Sequence, residues 1–274
     1  MKIPFVKYHG AGNDFVLVDC RRFPSQFDFA SLARRLCDRR EGIGADGLVL
    51  LCSSTAADYK MRIINPDGSE PSMCGNGLRC LFDFIHQESP VSEMKIETLH
   101  GILKCRKIGS EIAVNLGSPR ILHWPIELPQ GQAFVINTGV PHAVLFGNDI
   151  DARNVMEEGA KIRFDPRFAP LGVNVNFVAV KSAAHIVMRT YERGVEAETL
   201  ACGTGAAAAA YVALKQYNLS QPISVSTRLC FGMQPIVYNQ ALCFQFTPDN
   251  LGDLEIEMIG PVIKTFEGVS YYVF

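Results

Sequence analysis

The sequence predicts an α/β protein built from two lobes of one design that face each other across a cleft. Most of the chain consists of short apolar runs separated by turn residues, which is typical of strands. Two Cys-Gly-x-Gly segments, at Cys74 and Cys202, each open a helix-forming run. The turn cluster Gly117-Ser118-Pro119 divides the 274 residues into parts that each contain strand, polar loop, Cys-Gly-x-Gly and helix, in that order. A cleft between two such lobes is a common place for a small-molecule site.

The first part of the chain is predicted to alternate strands with two helices. Asp28 suits an N-cap and Gly42 a helix stop, so a helix is expected over 29–40. A second helix is expected over 75–87, after a turn of Asn, Pro, Asp, Gly and Ser at 65–69. Strands are expected at 2–8, 15–20, 48–51, 59–65, 94–98, 102–106 and 112–116.

The second part repeats this order. Helices are predicted at 152–162 and 203–217, and the strand at 186–191 runs into the loop Glu192-Arg193-Gly194. The other predicted strands are 133–137, 143–146, 174–180, 223–227, 241–247 and 254–259.

Composition excludes several classes of function. With 26 basic and 28 acidic residues the net charge is −2, so there is no basic excess to bind nucleic acid. An apolar run of 18 residues is lacking, as is a signal peptide, so we expect no membrane association. The segment 42–47 matches GxGxxG, but it follows a helix and precedes an apolar run, so we interpret it as a structural loop.

Nine cysteines are an unusual feature of this chain. The number is odd and no CxxC pair occurs, so neither a disulfide framework nor a zinc ribbon is indicated. The six histidines lack metal-binding spacing, and no metal or cofactor is expected. Cys52, Cys230 and Cys243 lie in apolar runs and are expected to be buried small hydrophobes. Many free thiols fit a reducing cytoplasm.

Cysteines at the starts of two helices suggest a specific chemistry. A helix N-terminus carries partial positive charge and unpaired N–H donors, which bind an anion and lower the pKa of a nearby thiol. For one copy, a buried cysteine at a helix start is the simpler interpretation, but two copies at matching places favour function. One thiolate could remove a proton from the α-carbon of an amino acid while the opposite thiol donates one, without pyridoxal phosphate.

Other polar residues allow two interpretations each. Cys80 lies too far round the helix to share the position of Cys74, and we interpret it as core. A lone histidine such as His142 is more often structural than catalytic. Glu192 and Arg193 form either a surface ion pair or a grip on the amine and carboxylate of a zwitterion.

Taken together, six segments resemble the diaminopimelate epimerase family, in order and over essentially the whole chain. They are His9-Gly10-Ala11-Gly12-Asn13-Asp14-Phe15, Gly42-Ile43-Gly44-Ala45-Asp46, Asn65-Pro66-Asp67-Gly68-Ser69-Glu70, Met73-Cys74-Gly75-Asn76-Gly77, Tyr191-Glu192-Arg193-Gly194 and Ala201-Cys202-Gly203-Thr204-Gly205. The resemblance implies interconversion of LL- and meso-2,6-diaminoheptanedioate, a step toward lysine and peptidoglycan precursor. It implies two pseudo-symmetric lobes, each a mainly antiparallel sheet around a central helix, with an N-terminal lobe 1–117 joined by a C-terminal strand within 263–274, and a C-terminal lobe 118–262.

The same resemblance implies roles for single residues. It makes Cys74 and Cys202 the acid–base pair and places His142 near the thiols in a supporting role. The backbone N–H groups that hold the reacting carboxylate would belong to Gly75, Asn76, Gly203 and Thr204. The residues that hold the distant, non-reacting centre of the substrate would be Asn13, Asn65, Asn174, Glu192 and Arg193.

Three departures from the family pattern concern selectivity. Some members carry glutamine where this chain has Gly47, and many carry asparagine where it has Val140. The spacer 195–198 is one residue longer than the commonest form. Because these changes remove side-chain hydrogen bonds that could reach a substrate and leave the thiols intact, we expect looser specificity, extending to a simpler amino acid such as glutamate.

Three alternatives stay open at this point. A proline- or hydroxyproline-type racemase shares the two-thiol logic, but proline has no second zwitterionic end for Glu192 and Arg193 to hold. A thiol-free isomerase of the same fold would lack the cysteine pair. A redox sensor would join Cys74 and Cys202 in a disulfide. Apolar strand edges favour a homodimer with any of these functions, and the expected partner is a small amino acid.

Overall fold

The computed structural model describes residues 1–199, 202–231, 234–237 and 241–271. Two compact units are formed, here called unit 1 (Met1–Val114 with Gly260–Phe274) and unit 2 (Asn115–Ile259).

Unit 1 consists of a sheet and two α-helices. Along the sheet the order is β18-β1-β2-β3-β4-β5-β6-β7, with neighbours antiparallel except for the parallel pairs β2–β3 and β4–β5. The elements are β1 (Lys2–Gly10), β2 (Asn13–Asp19), α1 (Phe29–Cys37), β3 (Gly47–Cys52), β4 (Tyr59–Ile64), α2 (Gly75–Glu88), β5 (Glu93–Thr98), β6 (Gly101–Ile108), β7 (Glu111–Asn115) and β18 (Ile263–Tyr271).

Unit 2 repeats this arrangement. Its sheet order is β8-β9-β10-β11-β12-β14-β16-β17, again antiparallel except for the parallel pairs β10–β11 and β12–β14. The short strands β13 and β15 pair with β12 and β14. The elements are β8 (Arg120–Leu128), β9 (Gly131–Asn137), β10 (Pro141–Phe146), α3 (Val155–Arg163), β11 (Asn174–Ser182), β12 (His185–Glu192), β13 (Ala197–Thr199), α4 (Gly203–Tyr217), β14 (Ile223–Phe231), β15 (Gln234–Val237), β16 (Leu242–Pro248) and β17 (Leu254–Gly260).

The repeated strand order confirms the predicted fold class. Each parallel pair requires a crossover, and in both units a helix supplies it. The first crossover contains α1 or α3, and the second contains the cysteine helix, α2 or α4. The sequence pattern of strand, loop, Cys-Gly-x-Gly and helix thus occurs twice because the two units have the same architecture.

The cysteine helices lie at the centre of their units. In unit 1, α2 contacts β1, β2, β3, β4 and β6, and α4 contacts β9 to β12, β14 and β16 in unit 2. On the other face of the unit 1 sheet, α1 buries Phe29, Leu32 and Leu36 in a second apolar cluster. Both faces of the inner strands are therefore covered, which explains why Leu48–Leu51 is buried at every position.

Several element bounds differ from the prediction. Helix α1 ends at Cys37 instead of residue 40, because Asp38 Oδ1 accepts hydrogen bonds from the N–H groups of Arg40 and Glu41 at 2.7 Å each. The strands β8, β13 and β15 were not predicted. Strand β8 contains Pro125 and two register shifts, which hide it from pattern recognition. Residues 272–274, at the end of the predicted C-terminal strand, lie outside the described residues.

Two of the cysteines expected to be buried small hydrophobes, Cys52 and Cys243, differ from the prediction. Cys20 and Cys52 form a disulfide with a Cα–Cα distance of 5.5 Å, whereas Cys52 was expected to be a buried small hydrophobe. Strands β2 and β3 run parallel, and Asp19 pairs with Leu51. The next residue of each strand, Cys20 and Cys52, therefore lies at the same end of the strand pair. Cys243 is half-buried, and the side chain of Cys230 lies outside the described residues. Among the helices that the structure describes, none is long and apolar enough to cross a membrane.

Candidate active site

Cys74 is the N-cap residue of α2. Its backbone is extended (φ −145°, ψ 111°), and its Sγ accepts a hydrogen bond from the N–H of Gly77 at 3.4 Å. The sulfur thereby takes the place that a serine or aspartate oxygen usually holds at a helix start. The N–H groups of Gly75 and Asn76 are in the first turn, where a helix provides them no internal partner. The half-buried Cys74 thiol thus lies beside two backbone donors.

Asn13 connects the β1–β2 hairpin to this thiol. Its Oδ1 lies 3.8 Å from Cys74 Sγ and accepts a hydrogen bond from Asn76 Nδ2 at 3.2 Å. Its own Nδ2 donates to Asp46 Oδ2 at 2.8 Å, which fixes the orientation of the amide. The side chains of Cys74, Asn76 and Asn13 therefore meet at one place.

Asp46 is held in turn by a network of charges. Arg39 Nη2 donates to Asp46 Oδ1 at 2.8 Å and to Asp14 Oδ1 at 2.7 Å. Lys7, only 7% exposed, donates to Asp14 Oδ2 at 2.6 Å and to the carbonyl of Gly44. These hydrogen bonds, led by that of Arg39, lower the pKa of Asp14 to about 2 against the effect of burial. The loop that carries Asn13 is consequently tied to the loop that carries Asp46.

Asn65 lies at the end of β4 in a closed turn. Its N–H donates to the Ser69 carbonyl at 2.8 Å, and its Nδ2 donates to Ser69 Oγ at 3.0 Å. Asp67 Oδ1 accepts from both the N–H and the hydroxyl of Ser69. Gly68 has φ +87°, a conformation that glycine adopts without strain. The turn predicted at 65–69 is present, and it holds the Asn65 amide in a defined position.

Cys202 is the N-cap residue of α4, in extended backbone like its counterpart (φ −133°, ψ 94°). The residue is 9% exposed, and its Sγ lies 3.7 Å from the hydroxyl of Thr204. Gly205 faces the strand β11, where a β-carbon would lie only 2.4 Å from Asn176 Oδ1 and 3.1 Å from Cys202 Sγ. A side chain larger than hydrogen at this position would therefore displace the Asn176 amide.

His142 is fully buried behind Thr204. Its Nδ1 lies 3.1 Å from Asn176 Nδ2 and its Nε2 lies 3.0 Å from Thr204 Oγ1. Thr190 Oγ1 donates to Asn176 Oδ1 at 3.0 Å, which orients the amide so that its nitrogen faces the imidazole. Burial, with a smaller contribution from the charge of Arg193, lowers the pKa of His142 to about 3. The imidazole is neutral near pH 7.

A second group of predicted residues surrounds the end of β12. Asn174 Oδ1 accepts a hydrogen bond from the N–H of Arg193 at 2.8 Å. Glu192 Oε2 accepts one from Thr199 Oγ1 at 2.7 Å, and burial raises the pKa of this carboxyl although that bond lowers it. Residues 193–196 form the turn between β12 and β13. This is a hairpin turn in which Glu196 has φ +56°.

Each unit brings together part of the predicted set. In unit 1, Cys74, Gly75, Asn76 and Asn13 form one cluster, while Asn65 lies in its own turn. Unit 2 joins Cys202, Gly203, Thr204 and His142 at the start of α4, and Asn174, Glu192 and Arg193 at the end of β12. In the described part of the chain, no three His, Cys, Asp or Glu side chains are grouped as a metal site would require.

Sequence reasoning missed four supporting residues, namely Asp46, Arg79, Asn176 and Thr190. Asn176 interrupts an apolar strand that is buried on both faces, and a buried amide must find partners. That interruption was a signal that could have led to the network. Arg79 is a charged residue within a buried helix. A buried charge also needs partners, so Arg79 could have been recognised in the same way.

One protein family and several known proteins are similar to this chain. The family model described as diaminopimelate epimerase matches residues 5–122 and 134–229. The diaminopimelate epimerase of Moorella thermoacetica is 37% identical over 288 aligned positions, which cover 96% of this chain and 98% of the relative. That of Aquifex aeolicus is 38% identical and covers 96% of both chains.

Solved structures of low sequence identity share the fold. A Bacillus anthracis protein of the PhzF phenazine biosynthesis family matches with a TM-score of 0.74 at 15% identity, covering 99% of this chain and 100% of that one. A hydroxyproline epimerase from Agrobacterium vitis matches with a TM-score of 0.66 at 16% identity, covering 98% of this chain and 91% of that one. At such identities the likeness concerns the fold alone.

Proposed function

Because this chain belongs to the diaminopimelate epimerase family, we propose that it interconverts LL- and meso-2,6-diaminoheptanedioate by inverting one α-carbon without a cofactor. Family membership makes the chain an isomerase of the racemase and epimerase class. The proposed reaction belongs to the biosynthesis of lysine and of peptidoglycan precursor.

Cys74 and Cys202 are the proposed acid–base pair. The observation that carries this assignment is that both cysteines are N-cap residues of buried helices at equivalent positions of a duplicated sheet. One thiolate removes the α-proton, and the other thiol donates a proton to the opposite face of the carbon. Two catalytic groups with interchangeable protonation states allow both directions of the reaction.

The helix starts also offer a place for the reacting carboxylate. We assign its hydrogen bonds to the backbone N–H groups of Gly75, Asn76, Gly203 and Thr204. Charge develops on this carboxylate as the α-proton leaves, and preorganised donors stabilise such charge by several kcal/mol. Glycine at the first and third helical positions leaves these donors uncovered.

The non-reacting end of the substrate carries a second ammonium and a second carboxylate. Arg193 suits the carboxylate and Glu192 suits the ammonium, with amides from Asn13, Asn65 and Asn174 completing the set. The hydrogen bond from the Arg193 N–H to Asn174 supports this assignment, since it fixes one of these amides beside the arginine backbone.

We assign His142 a supporting role. It does not act as a base through direct contact with the thiol, since Thr204 Oγ1 lies between Nε2 and Cys202 Sγ. Its neutral ring instead orients the Thr204 hydroxyl beside the thiol.

The experiment that tests the function is α-proton exchange. Reduced protein is incubated with LL-diaminopimelate in D2O, and deuterium at the α-carbon is followed by NMR beside formation of the meso isomer. We expect exchange and epimerisation in the wild type, and loss of epimerisation by at least about 10³-fold in Cys74→Ala and in Cys202→Ala. Cys37→Ala removes a buried thiol of α1 and is the matched control, with activity retained.

The same assay decides between this function and its alternative. Exchange on proline or hydroxyproline without exchange on diaminopimelate would keep the two-thiol chemistry and replace the substrate. Epimerisation that survives the loss of either thiol would overturn the mechanism.

A further inference from the structure

Four side chains of unit 1 form a continuous line of hydrogen bonds that passes the Cys74 thiol. Arg79 Nη2 donates to Asn76 Oδ1 at 2.9 Å, and Asn76 Nδ2 donates to Asn13 Oδ1 at 3.2 Å. Asn13 Nδ2 in turn donates to Asp46 Oδ2 at 2.8 Å. The Cys74 thiol donates to the same Asn13 Oδ1, with 3.8 Å between sulfur and oxygen. We call Arg79, Asn76, Asn13 and Asp46 the amide network.

The two ends of the amide network fix the direction of its hydrogen bonds. A guanidinium only donates and a carboxylate only accepts, whereas a side-chain amide does both and exchanges its oxygen and nitrogen by half a turn. Because Arg79 requires an acceptor, Asn76 presents its oxygen to Arg79 and its nitrogen to Asn13. Because Asp46 requires a donor, Asn13 presents its nitrogen to Asp46. The Asn13 oxygen is therefore the atom that faces the sulfur.

The β1–β2 hairpin fixes the backbone of Asn13 but leaves the orientation of its amide open. Gly10 pairs with Asn13 at the end of the hairpin, and the turn residues Ala11 and Gly12 have φ +52° and +85°. Turns with two such residues match the twist of the flanking strands, so the hairpin is tightly defined. The side-chain amide must then be oriented by its hydrogen-bond partners, which are the other members of the amide network.

Arg79 makes its side-chain hydrogen bond to the amide network alone. The residue is fully buried, and its Nε and Nη1 have no hydrogen-bond partner among the described residues. Its Nη2 lies against the hairpin, where a β-carbon at Gly10 would be 3.2 Å from Nη2 and 3.2 Å from the Asn76 carbonyl oxygen. A buried cation costs stability. Its position behind Asn76 therefore suggests a role beyond packing.

Unit 2 orients the equivalent helix position with a different residue. Asn76 and Thr204 each follow the cysteine of their helix by two residues. The Thr204 hydroxyl is bound by the buried His142, whose Nε2 lies 3.0 Å away, whereas the Asn76 amide is bound by the buried Arg79. The helix position equivalent to Arg79 in unit 2 is Ala207. In both units a buried side chain thus holds the second residue after the cysteine.

We propose that Arg79 is a positioning residue for Cys74, because it holds the Asn13 amide, through Asn76, with the oxygen toward the thiol. The proposal rests on the two-thiol function and adds to it a residue that acts through two amides.

The orientation of the Asn13 amide affects how strong a base the Cys74 thiolate is. An oxygen beside the sulfur accepts the S–H proton and favours the neutral thiol. A reversed amide would donate an N–H to the sulfur and favour the thiolate, as the N–H of Gly77 does at 3.4 Å. Because the α-proton of an amino acid is very weakly acidic, its removal benefits from a more basic thiolate. The amide network preserves this basicity by keeping the Asn13 nitrogen away from the sulfur.

The first test observes the Asn13 amide without substrate. Protein labelled isotopically at asparagine nitrogens is studied by NMR, and the side-chain NH2 signals of Asn13 are identified by their loss in Asn13→Ser. In Arg79→Met we expect these signals to shift or to split into two sets, although Asn76 separates the two residues. The NH2 signals of Asn65, whose Nδ2 donates to Ser69 Oγ at 3.0 Å, are the internal control and should not move.

The second test separates the hydrogen-bond donor of Arg79 from its charge. Arg79→Lys keeps both, Arg79→Gln keeps a donor without the charge, and Arg79→Met removes both. We expect kcat to fall by at least about tenfold in Arg79→Met, to recover most of the loss in Arg79→Lys and to lie between them in Arg79→Gln. Arg22→Met removes an arginine of the same unit whose side chain is 72% exposed, and it should change neither kcat nor the Asn13 signals.

The substitution Gly10→Ala perturbs the amide network while all four of its side chains remain. Gly10 does not have positive φ, so alanine fits its backbone, but the added methyl would press on Arg79 Nη2 and on the Asn76 carbonyl. We expect the Asn13 signals to shift and kcat to fall by less than in Arg79→Met. This variant keeps the proposal testable if Arg79→Met does not fold.

Three outcomes would overturn the proposal. They are Asn13 signals that stay unchanged in Gly10→Ala and in folded Arg79→Met, full activity of a folded Arg79→Met, and equal losses of kcat in the three Arg79 variants. The NMR comparison requires no turnover. If the Asn13 signals move as expected but the wild type does not exchange the α-proton of diaminopimelate, the role of Arg79 in orienting Asn13 is supported and the proposed function alone is overturned.

Discussion

Asn176 Nδ2 donates a hydrogen bond to His142 Nδ1 at 3.1 Å, and this bond decides which nitrogen of the imidazole carries the proton. With Nδ1 as the acceptor, Nε2–H donates to Thr204 Oγ1 at 3.0 Å. The Thr204 hydroxyl then keeps its own proton for the sulfur of Cys202, 3.7 Å away. Asn176 thus fixes the tautomer of His142, and this tautomer sets the direction of the hydrogen bond between Thr204 and Cys202.

The same buried imidazole predicts how stability depends on pH. Because the folded-state pKa of His142 is about 3, below the ordinary value of 6.5, the unfolded chain binds this proton first as the pH falls. The contribution of His142 to stability is fully present above about pH 6.5 and decreases by up to about 1.4 kcal/mol per pH unit toward pH 3. Urea unfolding of the wild type should therefore show a steeper loss between pH 6.5 and 5 than unfolding of His142→Gln.

The control for this measurement is His100→Gln, which removes an exposed histidine of unit 1. Its pH profile should follow the wild type. Parallel profiles for the wild type and His142→Gln would show that His142 is not the group responsible.

The protein has a buried and a more exposed arginine–glutamate pair, and replacing the glutamate by glutamine should cost different amounts of stability in the two. Arg189 and Glu198 form a bidentate pair at 2.7 and 2.8 Å whose side chains are 5% and 8% exposed. In unit 1 Arg62 and Glu70 pair at 2.8 Å, with side chains 34% and 27% exposed. Because Glu198→Gln leaves a buried cation, it should lower the free energy of unfolding by about 3–5 kcal/mol.

Glu70→Gln is the matched control, since Glu70 and Glu198 each precede a cysteine by four residues. It should cost about 1 kcal/mol or less, because water solvates the remaining arginine. Equal losses in the two variants would mean that burial does not distinguish the pairs.

Glycine at the third position of the two cysteine helices provides another matched comparison. A β-carbon at Gly205 would lie 2.4 Å from Asn176 Oδ1, whereas one at Gly77 would meet Val49 Cγ2 at 3.3 Å. Gly205→Ala must displace the amide that orients His142, so we expect kcat to fall by at least about 10²-fold. Gly77→Ala should lose less than about tenfold, because a valine methyl can shift by a few tenths of an ångström.

Steady-state kinetics on both variants, with circular dichroism to verify folding, checks this order. A larger loss in Gly77→Ala than in Gly205→Ala would contradict the structure of the unit 2 network.

The sequence predicted the helices better than it predicted the ends of the strands. Helix α4 spans Gly203–Tyr217 as expected, because an N-cap position followed by small and apolar residues defines its start. Helix α3 begins at Val155 and not at residue 152, since Asn154 accepts the N–H of Glu157 as its cap. Local capping chemistry decides such bounds, and Asn154 could have been recognised.

The supporting contacts of the site were less predictable. Cys74 and Cys202 stand out through local motifs, but Asn176, Thr190 and His142 meet only because β10, β11 and β12 are paired in one register. Arg79 likewise acquires its meaning from burial, which depends on the sheet around α2. A short segment of sequence does not determine which distant strands pair with it. The hydrogen bonds among these residues could therefore be found only from the structure.

Gly47 lies where a longer polar side chain could influence substrate selectivity. In the register of the parallel strand pairs, Gly47 lies opposite Phe15 as Asn174 lies opposite His142, so unit 1 lacks an amide that unit 2 has. A β-carbon at Gly47 would meet the Ile64 carbonyl at 3.4 Å and Phe15 Cδ1 at 3.5 Å, which is ordinary contact. Gly47→Gln should therefore fold and supply one more hydrogen bond to a substrate with a second polar end.

One such bond contributes about 1 kcal/mol, or about a fivefold change in relative kcat/KM. We expect Gly47→Gln to raise the ratio of kcat/KM for diaminopimelate over glutamate by about that factor, and Val140→Asn to act in the same direction. Gly147→Gln, at a glycine with space around it outside the proposed site, should leave the ratio unchanged. A wild type that does not racemise glutamate at all would show that Gly47 does not loosen specificity.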